Sequence, residues 1–433
     1  MTTTPELRSD VLVVGGGPAG LAAACAAAER GAAVRLLDDG PQLGGQIWRA
    51  GAGRLHPKAR ALFERASVAG VEASVGAVVQ VLAPDRLVAQ GPDGLAVYAA
   101  SRVVLAVGAQ ELFLPFPGWT LPGVTGVGAL QALSEGGFDV SGRRVVVAGS
   151  GPLLLAVAAK LRRRGARVVG LYEQATPAAL LRFSLGLWRV PSKLREALRL
   201  AFALRGVPRS ASAFVLRAEG GEGLEAVTVK TPTGLSRVPC ELLACAYGLV
   251  PRTRLAWSFG CAVRDGAVRV DEHQQTTIEG VYAAGEATGV GGVELSLCEG
   301  AIAGAAAAGH GARELGLLRE RRAWRRFAGA LAELSRLDPE LLQLADPETI
   351  VCRCEDVAYR AFARFSDARC AKLATRCGMG SCQGRVCGPA LELLFGWPQG
   401  RPRPPLEPVS VARLAGLSDT LDAEPSNPST ESL

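Results

Sequence analysis

The sequence is poor in the residues that most catalytic sites rely on. It has 433 residues but only three histidines and two methionines, and 5% are aromatic. His56, His273 and His310 stand alone in sequence, so neither a histidine metal site nor a histidine–nucleophile pair can be assembled from neighbours. No run reaches the 18 or more consecutive apolar residues of a membrane span. Met1-Thr-Thr-Thr-Pro-Glu6 carries no basic segment ahead of the first apolar run, and the expectation is a cytoplasmic chain. The charge of +7 is spread along the chain, mostly as arginine, without a nucleic-acid motif. It reads as a solvated surface, and nucleic acid is excluded as a partner. The first 310 residues also lack an early C-x-x-C or C-x4-C pair. Cys240 and Cys245 have x4 spacing but flank an apolar strand and read as core. Dithiol reduction is therefore disfavoured.

Glycine, by contrast, is abundant and ordered. Val11-Leu-Val-Val14 reads as a buried parallel strand, broken at Gly15, Gly17 and Gly20 before an alanine-rich helix. Gly15 permits the tight turn, Gly17 lets a pyrophosphate approach the backbone, and Gly20 allows close helix–strand packing. Pro18 and Ala19 open the helix, whose free N–H groups and dipole favour an anion. Asp38, with Asp39 beside it, closes the next strand 23 positions after Gly15, where an acid can bind a ribose hydroxyl. Gly44, Gly45 and Gln46 form a loop that can pass close to a bulky ligand. The run Arg102–Ala109, ending in Gly108-Ala109, is a second contact, and Gly285-Glu286 closes a short buried strand where a carboxylate can accept from polyol hydroxyls.

The opening pattern repeats at Arg144–Leu154, with Gly149, Gly151 and Pro152 in register and Glu173 in the place of Asp38. Leu154 occupies the position of Gly20, so this unit reads as secure in fold and weakened as a nucleotide site. A nucleotide there remains open. Residues 177–205 read as helical and arginine-rich, and 220–233 as a hairpin. Residues 313–337 read as one amphipathic helix, with Leu317, Trp324, Phe327, Leu331 and Leu334 on one face and Arg319, Arg321, Arg322, Arg325 and Arg326 on the other.

Six of the eleven cysteines lie between 352 and 387. Cys352, Cys354, Cys382 and Cys387 form a C-x-C-x27-C-x4-C pattern able to surround a metal centre, with Gly378, Gly380 and Gly384 letting backbone N–H groups turn toward the sulfurs. Cys370 and Cys377 are left over and read as core. Iron–sulfur is favoured, because C-x-C is tight for zinc, whose cysteine pairs are commonly C-x2-C or wider; structural zinc is the rival.

Gly15–Gly20, Gly44–Gln46, Val104–Ala109 and Thr276–Glu286 together resemble the two-dinucleotide-binding-domain flavoproteins, the disulfide-reductase superfamily, over about residues 8–310. The resemblance implies FAD in the first domain, despite Glu286 for the usual Asp and Val107 for the usual Thr. Val351–Val357 and Gly378–Cys387 resemble the bacterioferritin-associated-ferredoxin-like 2Fe–2S module. That module is fused to such a flavoprotein in a family that comprises the B component of hydrogen cyanide synthase, the A components of octopine and nopaline oxidases, and the α components of proline and D-hydroxyproline dehydrogenases. This resemblance implies an electron-transfer subunit carrying FAD and a 2Fe–2S cluster. Its partner would be an FAD subunit similar to D-amino-acid oxidase that oxidises an amino acid, imino acid or opine, and a small ferredoxin-like subunit is a further candidate partner. The alternative is a stand-alone NAD(P)H-dependent reductase; a third reading is a zinc-stabilised scaffold.

The expected architecture is α/β with two Rossmann-like dinucleotide-binding domains and a small C-terminal four-cysteine domain. The FAD-binding domain comprises 1–120 and 246–312, the second unit 121–245, a linker helix 313–345, the cysteine domain 346–400, and a proline-rich strap with a disordered tail 401–433. Any membrane association would be peripheral, at the inner face.

Overall fold

A computed structural model describes residues 5–48, 56–83, 85–91, 94–310, 316–398, 400–403 and 406. Pro404, Pro405, Pro408 and the expected disordered tail lie outside the described residues. The architecture is the expected α/β type with two Rossmann-like units and a small C-terminal cysteine-bearing unit.

The first sheet has seven strands. Glu6–Val14 lies between Val34–Leu37 and the long strand Gly94–Leu105, parallel to both, with Val14 opposite Leu37 and Leu105. Val281–Ala283 pairs in parallel with the end of that long strand, so three strands deliver their C-terminal ends to one crevice. Val11 to Val14 are buried because the sheet is covered on both faces.

The helix Pro18–Ala28 is held against the sheet and against the helix Gly292–Ala307. The small residues are required there. A Cβ on Gly300 would lie 2.1 Å from the Ala19 carbonyl oxygen, and one on Gly304 2.0 Å from that of Ala23. The alanine- and glycine-rich sequence thus allows backbone-to-backbone packing.

The second unit is a five-stranded parallel sheet in the order Arg209–Ala211, Arg167–Glu173, Arg144–Gly149, Leu242–Ala246, Val124–Gly126. A three-stranded antiparallel sheet, Phe214–Glu219, Ala226–Thr231 and Gly234–Pro239, flanks it; the span 220–233 read as a hairpin supplies only the middle strand and its turns, and its partners lie on either side. The chain enters and leaves this unit along paired strands, Ala109–Glu111 against Leu249–Pro251.

The expected amphipathic helix forms over Leu317–Leu334. Its arginines do not all lie on a solvent face, which corrects the periodicity reading. Arg321 is buried and donates to the Glu272 carbonyl and to Gln274 Oε1, and Arg325 pairs with the buried carboxylate of Glu299. These acceptors lie inside the body and draw the two guanidiniums inward. No helix among the described residues is long and apolar enough to cross a membrane.

Candidate functional site

The crevice at the strand ends is shaped by glycine. Gly15 has φ +106°, and a Cβ there would meet the Ala106 carbonyl oxygen at 2.3 Å; one on Gly20 would meet the Gly15 oxygen at 1.7 Å. Gly17, the helix N-cap, differs: its Cβ would have only the Gly45 Cα near it, at 3.9 Å. Its half-buried backbone therefore faces the space where an anion can reach the first-turn N–H groups, and Pro18 at the first helical position sacrifices no needed donor. Gly44 N–H bonds the Gly16 carbonyl, which seats the Gly44–Gln46 loop over the turn.

Asp38 is buried and accepts from Gly16 N–H at 2.5 Å and Gly40 N–H at 2.8 Å. Burial pushes its carboxyl above the ordinary range, and those two donors pull it back. Asp39 is exposed, 3.8 Å from Arg252. On the facing wall Gly108 has φ +70° and no atom within 4 Å of its Cβ position. Gly285 packs on Ala19, and burial raises the Glu286 carboxyl, which accepts from the Gly292 N–H. This bare-backbone cradle at a helix N-terminus, with carboxylates at two strand ends, fits FAD.

The second unit repeats the frame but not the cradle. Gly149 clashes with a carbonyl as Gly15 does, its Cβ 2.1 Å from the Ala246 oxygen. Gly151, however, has φ +85° where Gly17 has −74°, and its N–H is taken by Glu173 Oε2 at 2.8 Å. Leu154, in the position that Gly20 holds in the first unit, is fully buried. The end of the linker helix lies over this turn: a Cβ on Gly151 would be 3.0 Å from Ser335 Oγ, and Ser150 Oγ donates to the Leu334 carbonyl. No sequence signal pointed to that cover.

In the C-terminal unit the sulfurs of Cys352, Cys377 and Cys387 lie within 4.8 Å of one another, with Cys377 Sγ 3.7 Å from Cys387 Sγ. Cys354 accepts from the Cys382 backbone N–H and approaches the Cys382 side chain, with Ser381 Oγ at 3.8 Å. Cys377, read in the sequence as a leftover core residue, is buried but belongs to the sulfur group; Cys370 is exposed and apart from it. Thiols of Cys377 and Cys387, with the Gly378 and Glu355 N–H groups, hold the Cys352 thiol far below its ordinary range against the opposing effect of burial. Glycines make this approach possible: a Cβ on Gly380 would sit 2.3 Å from that of Cys354, and Gly378 and Gly384 both have positive φ. The sulfurs of Cys352, Cys377 and Cys387 come together and those of Cys354 and Cys382 lie near each other outside that group; this set of soft donors, with backbone N–H groups aimed at sulfur, is compatible with an iron–sulfur cluster.

The two sites are joined by residues that sequence reading missed. Gln110 Nε2 donates to the Arg385 carbonyl at 2.7 Å, and Arg254 Nη1 to that of Gln383 at 3.0 Å. Both acceptors lie within the Cys382–Cys387 loop. Gln110 is two residues beyond Gly108 on the crevice wall. Trp119 Nε1 donates to the Ile350 carbonyl at 2.5 Å, with the Arg353 guanidinium over its ring, and anchors the strand that carries Cys352.

A family model described as pyridine nucleotide-disulphide oxidoreductase matches residues 9–310. The A component of opine oxidase from Rhizobium meliloti (strain 1021) is 32% identical over 94% of this chain and 98% of its own. HcnB, a component of hydrogen cyanide synthase from Pseudomonas protegens, is 31% identical over 92% of this chain and 96% of its own. Among solved structures, L-proline dehydrogenase from P. horikoshii shares the fold at a TM-score of 0.69 and 21% identity, covering 96% of this chain and 81% of that one. T. acidophilum thioredoxin reductase does so at 0.54 and 20%, over 70% of this chain and 98% of that one.

Proposed function

Because the chain belongs to the pyridine nucleotide-disulphide oxidoreductase family and is an FAD-dependent oxidoreductase, we propose that it is the electron-transfer subunit of a heteromeric dehydrogenase. In this reading it carries FAD in the first unit and a 2Fe–2S cluster on Cys352, Cys354, Cys382 and Cys387. A partner FAD subunit similar to D-amino-acid oxidase oxidises an amino acid, imino acid or opine at its C–N bond, and this chain passes the electrons to an acceptor. The relatives are themselves named as subunits of larger enzymes, which supports a hetero-oligomer.

The observation that carries the reading is the docking of the Cys382–Cys387 loop on the crevice wall by Gln110 and Arg254. Two residues span at most about 7 Å, so the loop is anchored beside the Gly108 turn. When bound, FAD and the cluster supply two-electron acceptance and one-electron release, respectively. The protein's own residues position them. Gly15, Gly17 and Gly20 open the pyrophosphate cradle, Glu286 and the Asp38–Asp39 pair offer carboxylates to its hydroxyls, and Gln110 and Arg254 fix the cysteine loop. Cys354 is exposed, whereas Cys352 and Cys387 are buried, so the proposed site has a buried and a solvent-facing side.

The second unit is better suited to structure than to hydride delivery. Gly151 N–H is already bonded to Glu173, and the linker helix covers the turn. The purified chain is therefore expected to keep its flavin oxidised with NADH or NADPH under anaerobic conditions. The native complex is expected to bleach on addition of its amine substrate. Rapid bleaching of the isolated chain by either nucleotide would establish a stand-alone reductase instead.

A further inference from the structure

Five thiols lie in the cysteine site, and a 2Fe–2S cluster uses four. The pattern C-x-C…C-x4-C leaves Cys377 without a place among the ligands, yet the fold does not treat it as filler. The backbone carries it to the sulfur group. Arg376 is in the left-handed region at φ +66°, and Gly378 follows at φ +78°. Two closely spaced turns thus flank Cys377 and drive its side chain inward, next to Cys352 and Cys387 rather than into the surrounding Val351, Val357 and Phe362 packing alone.

We propose that Cys377 remains a thiol and donates an S–H···S hydrogen bond to the ligand sulfurs of the buried pair, principally Cys387, so raising the reduction potential of the cluster. This rests on the proposed 2Fe–2S centre and adds to it a positioning and tuning residue that is not a ligand. The geometry is that of a donor. Cys377 Sγ lies 3.7 Å from Cys387 Sγ with Cys377 as donor, and all three sulfurs fall within 4.8 Å. The physical effect follows from charge. Reduction adds an electron to a centre held by four thiolates, and a hydrogen bond to a ligand sulfur stabilises the more negative state. The neighbouring donors to this pair are backbone N–H groups, from Gly378 and Glu355 to Cys352; these stay fixed whatever occupies position 377. The exposed Cys354–Cys382 pair has its own donors, the Cys382 N–H and Ser381 Oγ. Cys377 therefore acts on the buried Cys352 and Cys387 side of the site, where it would favour the reduced state of a bound cluster.

The test uses the full chain, purified anaerobically, with iron and sulfide analysis, low-temperature paramagnetic resonance and redox titration. Wild-type protein is expected to hold two irons and two sulfides; zinc without sulfide would overturn the underlying cluster reading, and that failure is visible before any variant is made. Cys377→Ala should keep full iron and sulfide, with a lower midpoint potential and an altered resonance line shape. Cys377→Ser, which keeps an O–H donor at nearly the same place, should recover part of that shift. Loss of iron in Cys377→Ala while Cys382→Ser retains it would make Cys377 a ligand and overturn the inference. An unchanged potential in Cys377→Ala and Cys377→Ser would also overturn it. Should Cys377→Ala fail to fold, Cys377→Val fills the buried volume without a donor and must show the same lowered potential.

Discussion

Gly20 is the position where packing and cofactor binding can be separated by experiment. A methyl group in Gly20→Ala would sit 1.7 Å from the Gly15 carbonyl oxygen and 3.3 Å from the Ala106 Cβ. To reach even 3.0 Å the helix must retreat by roughly 1.3 Å, but it has nowhere to go. Its other face touches the helix Gly292–Ala307 through Gly300 and Gly304, where a Cβ would already lie about 2 Å from a carbonyl oxygen. Overpacking of this kind costs about 1–3 kcal/mol, and a site pinned on both sides belongs at the upper end. At about 2–4 °C per kcal/mol for a unit of this size, melting of the FAD-free protein should fall by roughly 6–12 °C. Displacing the helix N-terminus also moves the pyrophosphate cradle, so FAD should bind at least ~10-fold more weakly, equivalent to about 1.4 kcal/mol. Gly17→Ala is the matched control. Its Cβ meets only the Gly45 Cα, at 3.9 Å, and its φ of −74° suits any residue. The fold should melt as wild type, while FAD is lost because the methyl occupies the ligand's place. The two readouts are differential scanning fluorimetry and FAD titration. Wild-type FAD affinity in Gly17→Ala would refute the cradle, and wild-type melting in Gly20→Ala would refute the packing argument.

Three other outcomes are expected. Gln110→Ala combined with Arg254→Ala should leave FAD and iron content intact but slow flavin-to-cluster electron transfer in flash-reduction experiments, since it removes the donors that seat the Cys382–Cys387 loop; an unchanged rate would place the contact elsewhere. NADH and NADPH should show no saturable calorimetric binding at the second unit, because Glu173 holds the Gly151 N–H and Ser335 lies over the turn. Glu286 is raised above 4.5 by burial. A carboxyl with a raised folded-state pKa favours folding below 4.5 and loses that contribution as pH climbs through the folded value. Glu286→Gln should therefore flatten that part of the fall in melting temperature above pH 4.5, and a profile parallel to wild type would contradict this.

The crevice was legible in the sequence because its chemistry is local. Gly15 and Gly20 each answer a steric demand set by residues close in the chain or by the adjacent strand, Gly17 keeps the space beside the helix N-terminus open, and the alternation of apolar runs with glycine turns announces the rest of both Rossmann-like units. The linker helix was legible in extent but not in orientation. Helical periodicity places Arg321 and Arg325 among solvated arginines, whereas a buried carboxylate at Glu299 and a buried amide at Gln274 claim them. Cys377 was not legible because cysteine spacing rewards short pairs and says nothing about a single cysteine that a left-handed turn swings inward. The docking of Gln110 on the Arg385 carbonyl and the cover of Gly151 by Ser335 were beyond reach for a different reason. Each joins segments more than a hundred residues apart through a few polar contacts, with no pattern on either side.

The central claim is that the C-terminal cysteines hold an electron-transfer centre rather than a structural ion. Metal and acid-labile sulfide analysis of anaerobically purified protein, paired with low-temperature paramagnetic resonance after one-electron reduction, tests it most directly. The account predicts two irons and two sulfides per chain, as the composition of a 2Fe–2S centre requires, and a paramagnetic signal that Cys382→Ser abolishes or strongly perturbs. Stoichiometric zinc, with neither sulfide nor signal, would contradict it.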